Sequence, residues 1–447
     1  MSDALAAPAR PAADPADLTD PARHSPGLPA PTTVVLAALT AITPLATDMY
    51  LPAFPRMATD LGTTASAIQL TLTAFMIGLA LGQLVIGPLS DQRGRRGLLL
   101  TGTVVCAVAG LVCALAPSIG VLVAARFVQG FGGAAGVVLA RAVVADRASG
   151  VAAARLFGLM MMIQGVAPVL APLVGGGLVN ALGWRGVFAI LATLSTVMVL
   201  GVVTKVPETL PVARRTRGLA AFGRDARAVL TNRHYLGYTA TLVLGFATMF
   251  AYISASPFVL QNVLGLSVGG YSVAFAANAL GLSAVSALSA SLVSTVAPRR
   301  LLTVGVAAVL VLSVLLLADV LVLDLALWPT LALMFLTVSA LGLVFGNATT
   351  LATDEAARTA GTGSAIMGAA QFGLAAVVSP LVGLRGEGDA LPMALTMLVA
   401  SALATVALVG LTRGRTPAAT ASTGAAAGPG ADAETAGAAG AAEADAR

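Results

Sequence analysis

Twelve long apolar segments alternate with short polar ones between Thr32 and Leu411. Six run near 32–54, 66–89, 98–116, 119–144, 156–180 and 186–204. After a polar stretch, 205–234, six more run near 235–261, 271–295, 301–320, 329–352, 359–383 and 390–411. Each is long enough to cross a bilayer as a helix, which takes about 20 apolar residues. The pattern predicts an all-α membrane protein with an N-terminal six-helix bundle over 32–204, a linker over 205–234 and a C-terminal six-helix bundle over 235–411. Spans nine and ten are the least cleanly separated, because Asp319 and Asp324 interrupt them. Residues 1–31 and 412–447 are polar or small-residue tails, expected to be disordered. The first lacks the basic start and apolar core of a signal peptide.

Composition agrees. Of the 447 residues, 57% are hydrophobic and 10% charged, against about 25% charged in soluble proteins; mean hydropathy is +0.92. The net charge of +5 does not mark a nucleic-acid partner, because the basic residues are scattered through short loops. Their distribution sets topology instead. With the N-terminus in the cytoplasm, seventeen loop Arg and Lys residues fall inside and three, Arg56, Arg185 and Arg385, fall outside. Basic residues concentrate on the cytoplasmic side, so a multi-pass inner-membrane protein with both termini cytoplasmic is expected.

The usual enzyme signatures are missing. Cys106 and Cys113 are seven residues apart on one span, about 10 Å along a helix and too far to bridge. His24 and His234 offer no metal spacing. There is no nucleophile–base pair to argue and no phosphate-binding Gly-x-x-x-x-Gly-Lys-Ser/Thr loop. No enzyme activity and no cofactor is expected. The expected partners are a small-molecule substrate and the lipid bilayer, with the chain acting as a monomer.

The halves echo one another. "PLSDQRGRRGLL" after span two corresponds to "LVSTVAPRRLL" after span eight. Asp146 and Asp354 end spans four and ten, 208 residues apart, and "PLVG" at Pro172–Gly175 recurs at Pro380–Gly383. A repeated six-span unit marks a large class of transporters.

Four places carry charge or backbone chemistry that a purely lipid-facing helix would avoid. Asp48, in "LATDMYLPAFP", sits about 24 Å from the cytoplasmic end of span one at 1.5 Å per residue. It is either an interfacial acid or a carboxylate facing a central cavity, where lost solvation favours proton uptake. Arg126, about 10 Å from the outer end of span four, overlaps it in depth. It either snorkels or communicates with Asp48 across the cavity, directly or through water. In "GPLSDQRGRR", Gly87, Asp91, Gly94, Arg95 and Arg96 form a tight cytoplasmic junction. With Arg141, a candidate partner for Asp91, and Asp146, they are expected to act as a conformational latch. In "GVAPVLAPLVGGG", Pro168, Pro172 and Gly176 are expected to form a helix hinge.

Span two carries a polar stripe, Gln69, Thr73, Met76 and Gln83, at helical spacing. It either lines a pore or joins helices. Gln69, Thr73 and Met76, with Gln129 after Arg126, are the candidate substrate-cavity residues.

Together these motifs resemble the major facilitator superfamily, and more narrowly its Bcr/CflA-type drug:proton antiporters, over residues 32–411. "TDMYLPAFP" resembles the mark of that subgroup, "GPLSDQRGRR" the superfamily loop motif, and "RFVQGFGGAAGVVLARAVVAD" the span-four motif. "APVLAPLVGG" resembles the antiporter motif of span five, with Ala171-Pro172 where Gly-Pro is usual. Two further stretches, Phe250–Ser267 and Gly361–Leu381, also look like this subgroup. The resemblance implies the major facilitator fold, two pseudo-symmetric bundles around a central cavity. It also implies proton coupling through Asp48 and Arg126, with the proton as coupling ion. The expected function is efflux of small, moderately apolar drugs of phenicol or bicyclomycin type. The alternative is export of an endogenous metabolite such as an amino acid or sugar.

Overall fold

A computed structural model describes residues 28–413 apart from 149, 216–218 and 324. The expected tails therefore lie outside the described residues except at their inner ends, as does Asp324. Eleven helices among the described residues are long and apolar enough to cross a membrane, one of them over a 51-residue stretch that holds two spans.

The first span, α1 (Ala30–Asp48), begins with Pro29 at its cap and Pro31 in its first turn, where a missing N–H costs nothing. It stops at Asp48, earlier than the expected 54. Pro52 and Pro55 cannot donate to the carbonyls four residues back. The chain passes instead through a 3-10 turn, Leu51–Ala53, into the short α2 (Phe54–Asp60). Spans two to four are α3 (Ala65–Arg93), α4 (Arg95–Ala114) and α5 (Ile119–Arg147). Spans five and six form one element, α6 (Gly150–Lys205), broken at Gly183, whose φ of 69° lies in the left-handed region glycine tolerates. The helix is continuous through Pro168 and Pro172.

After a linker helix, α7 (Leu219–Leu230), come span seven, α8 (Arg233–Phe258), and span eight, α9 (Val268–Leu292). Asn232 caps α8 by accepting from the N–H groups of His234 and Tyr235. A π-helical turn, Val259–Val263, follows Pro257 and extends α8. Span nine is α10 (Pro298–Val322), span ten is α11 (Leu327–Ala340) with α12 (Gly342–Glu355), and α13 (Ala360–Leu381) and α14 (Leu391–Leu411) complete the set. Asp319 does not break span nine. It is buried near the end of α10 and accepts a 2.6 Å hydrogen bond from Thr330 on α11.

Within each half the helices pack tightly: α3 and α4 on α5, α1 and α4 on α6, then α12, α13 and α14 on α8, with α10 against α12 and α14. In a bilayer, helix contact comes from close packing, not water exclusion, so small residues matter. A methyl on Gly78 would collide with the Phe127 carbonyl, and one on Gly130 with the Phe75 carbonyl. The outward surfaces are apolar, with Trp328, Val322 and Val406 among the most exposed side chains. Both described termini lie at one end: Thr32 donates to the Lys205 carbonyl and Arg299 to that of Thr412. This is termed the terminal face. Between the halves, α3 meets α13 and α6 meets α9.

Candidate functional site

A cavity of about 540 Å³ lies between the halves. The N-terminal half contributes a polar edge of α1, where Thr40, Thr43, Thr47 and Asp48 follow one another at nearly helical spacing. Met76 and Gln83 come from α3, Arg141 from α5, and Gln164 and Pro168 from α6. The C-terminal half supplies an aromatic wall: Phe246, Phe250 and Tyr252 of α8, Phe275 of α9, Phe345 of α12 and Phe372 of α13. Phe246 is its hub, stacked on Phe250 at 5.9 Å and edge-on to Phe372 at 5.6 Å.

Asp48 ends α1 and is 5% exposed. No ion pair or side-chain hydrogen bond to it is recorded among the described residues. It shares the cavity with Tyr252 of the opposite half.

Arg126 is fully buried and lies outside the cavity wall. Its Nη1 donates to Gln129 Oε1 at 2.7 Å and its Nη2 to the Tyr50 hydroxyl at 3.2 Å. The guanidinium lies over the rings of Phe75 at 4.2 Å, Tyr50 at 4.5 Å and Phe188 at 5.6 Å. Desolvated cation–π contacts contribute about 2 kcal/mol each, so aromatic faces stand where a carboxylate would be expected. There is no Asp48–Arg126 ion pair among the described residues. The two are connected through Tyr50, two residues beyond Asp48, whose hydroxyl also lies 3.0 Å from Thr71 Oγ1. Nothing in the sequence marks Tyr50 as a partner of Arg126. Phe75 and Phe188 carried no signal, since an aromatic beside a guanidinium in space is not beside it in the chain.

Of the four cavity candidates, only Met76 lines the cavity. Gln69 and Thr73 belong to a seal at the end away from the terminal face. Gln69 Nε2 donates to the Ser254 backbone carbonyl at 3.0 Å, and the Gln69 backbone carbonyl accepts from Ser379 Oγ at 3.1 Å. The Ser254 and Ser379 hydroxyls are 2.8 Å apart, and Thr73 donates to the Ala376 carbonyl at 3.0 Å. Gln261 donates to the Pro52 carbonyl at 3.2 Å. Gln129 is occupied by Arg126. The stripe on α3 divides: its first turns join the halves, and Met76 and Gln83 face the cavity. Asp48 therefore lies near the sealed end, whereas Arg141, Gln164, Thr349 and Ser364 line the part towards the terminal face.

At the terminal face, Asp91 pairs with Arg95 at 2.6 Å, not with Arg141. Arg141 donates to Gln164 Oε1 at 3.1 Å and lines the cavity. Arg95 stands just past the Gly94 turn, within reach of Asp91, and takes the place expected for Arg141. Arg95 Nε also reaches Asp146 at 3.2 Å, which accepts from Thr209 Oγ1 at 2.9 Å. Gly87 lies inside α3 and only lends its carbonyl to Ser90. Gly94, at φ 100°, makes the turn. Arg96 donates to the Val203 carbonyl at 2.8 Å.

Sequence reasoning missed Glu208 in this junction. Its carboxylate accepts from the N–H groups of Arg95 at 2.8 Å and Arg96 at 3.2 Å, capping α4, and from those of Thr209 and Leu210 at 3.0 Å. Partial burial opposes its charge, but the four N–H groups outweigh it and hold its carboxyl below the usual range.

The hinge expectation also changes form. With no break at Pro168 or Pro172, the work of this stretch is close approach. A methyl on Gly175 would strike the Met49 carbonyl, and one on Gly176 the Ser272 hydroxyl. Gly175 thus lets α6 lie directly on the chain just after Asp48.

Comparison with known proteins gives the same fold. The chain is 36% identical over 384 residues to an uncharacterized MFS-type transporter, YdgK, of Bacillus subtilis (strain 168), covering 85% of this chain and 95% of that one. It is 30% identical over 365 residues to the bicyclomycin resistance protein homolog of Haemophilus influenzae, covering 81% and 92%. Among solved structures it resembles a D-xylose-proton symporter, with a TM-score of 0.66 at 17% identity over 85% of this chain and 97% of that one. A bacterial homolog of the lysosomal transporter Spinster, inward-facing and unoccupied, gives 0.66 at 18% identity over 86% and 98%. Residues 36–380 match the Major Facilitator Superfamily, and with two six-helix halves closed at one end over a shared cavity, the chain belongs to that family of transporters.

Proposed function

We propose that this protein exports small, moderately apolar drugs across the inner membrane in exchange for protons, with Asp48 as the residue that takes up and releases the proton. The observation that carries this reading is a buried carboxylate, without a cationic partner among the described residues, at the sealed end of a cavity with an aromatic wall. A charged Asp inside a bilayer costs about 2.5–3.5 kcal/mol on insertion scales, and such residues mark ion pathways. Names of relatives favour drugs: a bicyclomycin resistance protein homolog, and MdtL multidrug resistance proteins at 30% identity.

The arginine bias supports a cytoplasmic terminal face. The present arrangement is then open inward and sealed outward by the Gln69–Ser254–Ser379 cluster. Export requires that seal to part while the terminal face closes, the two halves rocking about the central site. Facing outward, Asp48 takes a proton and drug leaves; facing inward, Asp48 releases the proton and drug binds. Each net charge carried inward gains about 2.3 kcal/mol per 100 mV, and electroneutral exchange draws on the pH gradient alone. Arg126 supports this chemistry by holding Tyr50 and hence the end of span one.

The test is a susceptibility panel in an efflux-deficient host expressing the protein, with phenicols, bicyclomycin and a toxic amino-acid analogue, with and without an uncoupler. Resistance to the drugs that the uncoupler removes is expected. Resistance to the amino-acid analogue alone would replace drugs with a metabolite as cargo. Resistance unaffected by the uncoupler would remove the proton from the mechanism.

A further inference from the structure

One pair of cavity residues has hydrogen-bonding capacity that the fold does not use. Tyr252 on α8 and Asn278 on α9 both line the cavity and are 1% and 5% exposed. Asn278 Nδ2 donates to the Tyr252 hydroxyl at 2.6 Å. The Tyr252 ring is stacked on Phe275 at 5.6 Å, which fixes its position. An Asn amide offers two donors and a carbonyl acceptor. The bond to Tyr252 uses one donor. No protein partner for Asn278 Oδ1 is recorded among the described residues. Exchanging the amide N and O would leave the NH₂ group in that position instead, so in either assignment one edge of the amide is left for a ligand.

That edge opens onto the cavity, and a leucine would fill the same volume without offering a donor and an acceptor there. The arrangement makes sense where a ligand completes the hydrogen bonds. Its complement is an uncharged group with an acceptor and a donor close together, an amide or hydroxyl. The neighbouring wall of Phe246, Phe250 and Phe275 suits an apolar or aromatic body. Asp48 lines the same cavity from the other half, so the proton site and this pair sit on different halves of one cavity.

We propose that Tyr252 and Asn278 form the specificity-determining subsite, recognising an uncharged amide or hydroxyl group on an apolar substrate. This rests on the export reading and narrows its substrate class. A site built to hydrogen-bond its substrate rejects analogues that lack the bonding group.

The test measures binding to the purified full-length protein in nanodiscs with two probes. Chloramphenicol is an uncharged aromatic amide with hydroxyls; tetraphenylphosphonium is an aromatic cation with neither. Asn278→Leu is expected to weaken chloramphenicol about tenfold. Tyr252→Phe, which keeps the ring, is expected to weaken it about threefold by freeing the amide. Tetraphenylphosphonium affinity is expected to be unchanged in both. If Asn278→Leu does not fold, Tyr252→Phe decides alone. Equal loss for both probes would make the pair structural and overturn the proposal. So would wild-type affinity for chloramphenicol in both variants, or a wild-type protein that binds only the cation; in these cases drug export itself would stand. A wild-type protein that binds neither probe would remove the drug-export reading and this proposal with it.

Discussion

Asp48 and Arg126 begin as a matched pair, opposite charges at similar depth on different spans, and the structure gives them opposite environments. Arg126 is enclosed: two hydrogen-bond acceptors, three aromatic faces and no solvent exposure. Asp48 is nearly as buried but faces the cavity, with no ion pair recorded among the described residues. A charge locked by its surroundings cannot be given up or exchanged during a cycle. One that faces a cavity can be. Depth alone therefore does not identify the working residue; what each group is bonded to does.

That contrast makes the two residues separable. Asp48→Asn is expected to abolish proton-driven efflux while changing stability by less than about 1 kcal/mol, since no protein hydrogen bond to its side chain is recorded. Uncoupler-sensitive efflux alongside a melting curve checks both halves of the statement. Arg126→Ala is expected to do the reverse in order of cause. It empties the aromatic enclosure and strands the Gln129 and Tyr50 oxygens, costing about 2–5 kcal/mol, and transport falls because the end of span one loses its support. Wild-type thermal stability in Arg126→Ala would dissolve the distinction.

Smaller effects are expected at the two ends of the cavity. Ser379→Ala removes one member of the sealing cluster, about 0.5–1.5 kcal/mol. It should shift the population a few-fold towards the outward-open state, read as faster labelling of a cysteine introduced at Gln261. Glu208→Gln is expected to have the smallest effect. The carboxyl of Glu208 is held below its ordinary range, so its contribution is present above that range and lost as pH falls through the lowered value. The variant should be slightly less stable than the wild type at neutral pH, and the gap should close under acid conditions.

The spans were legible in the chain because length and hydropathy are local properties. So was Asp48, because a carboxylate inside an apolar run stands out against its own neighbours. Gln69 and Thr73 were not legible as seal residues: periodicity placed them on one face of α3, but their partners Ser254, Ser379 and Ala376 lie 185 to 310 residues away in the other half. Glu208 was passed over because its partners, the first N–H groups of α4, lie 112 and 113 residues away. The enclosure of Arg126 by Tyr50, Phe75 and Phe188 draws on three separate spans, and nothing in one segment announces the others.

The central claim is that Asp48 exchanges its proton for drug in one cavity. It is tested most directly by counting protons released when drug binds to the purified protein in weakly buffered solution at constant pH. Linkage requires that if drug favours the unprotonated form, binding must release proton. The wild type, poised where Asp48 is protonated, is expected to release about one proton per drug bound, and Asp48→Asn to bind drug and release none. Equal proton release from the two proteins would contradict the account and place the proton on another residue.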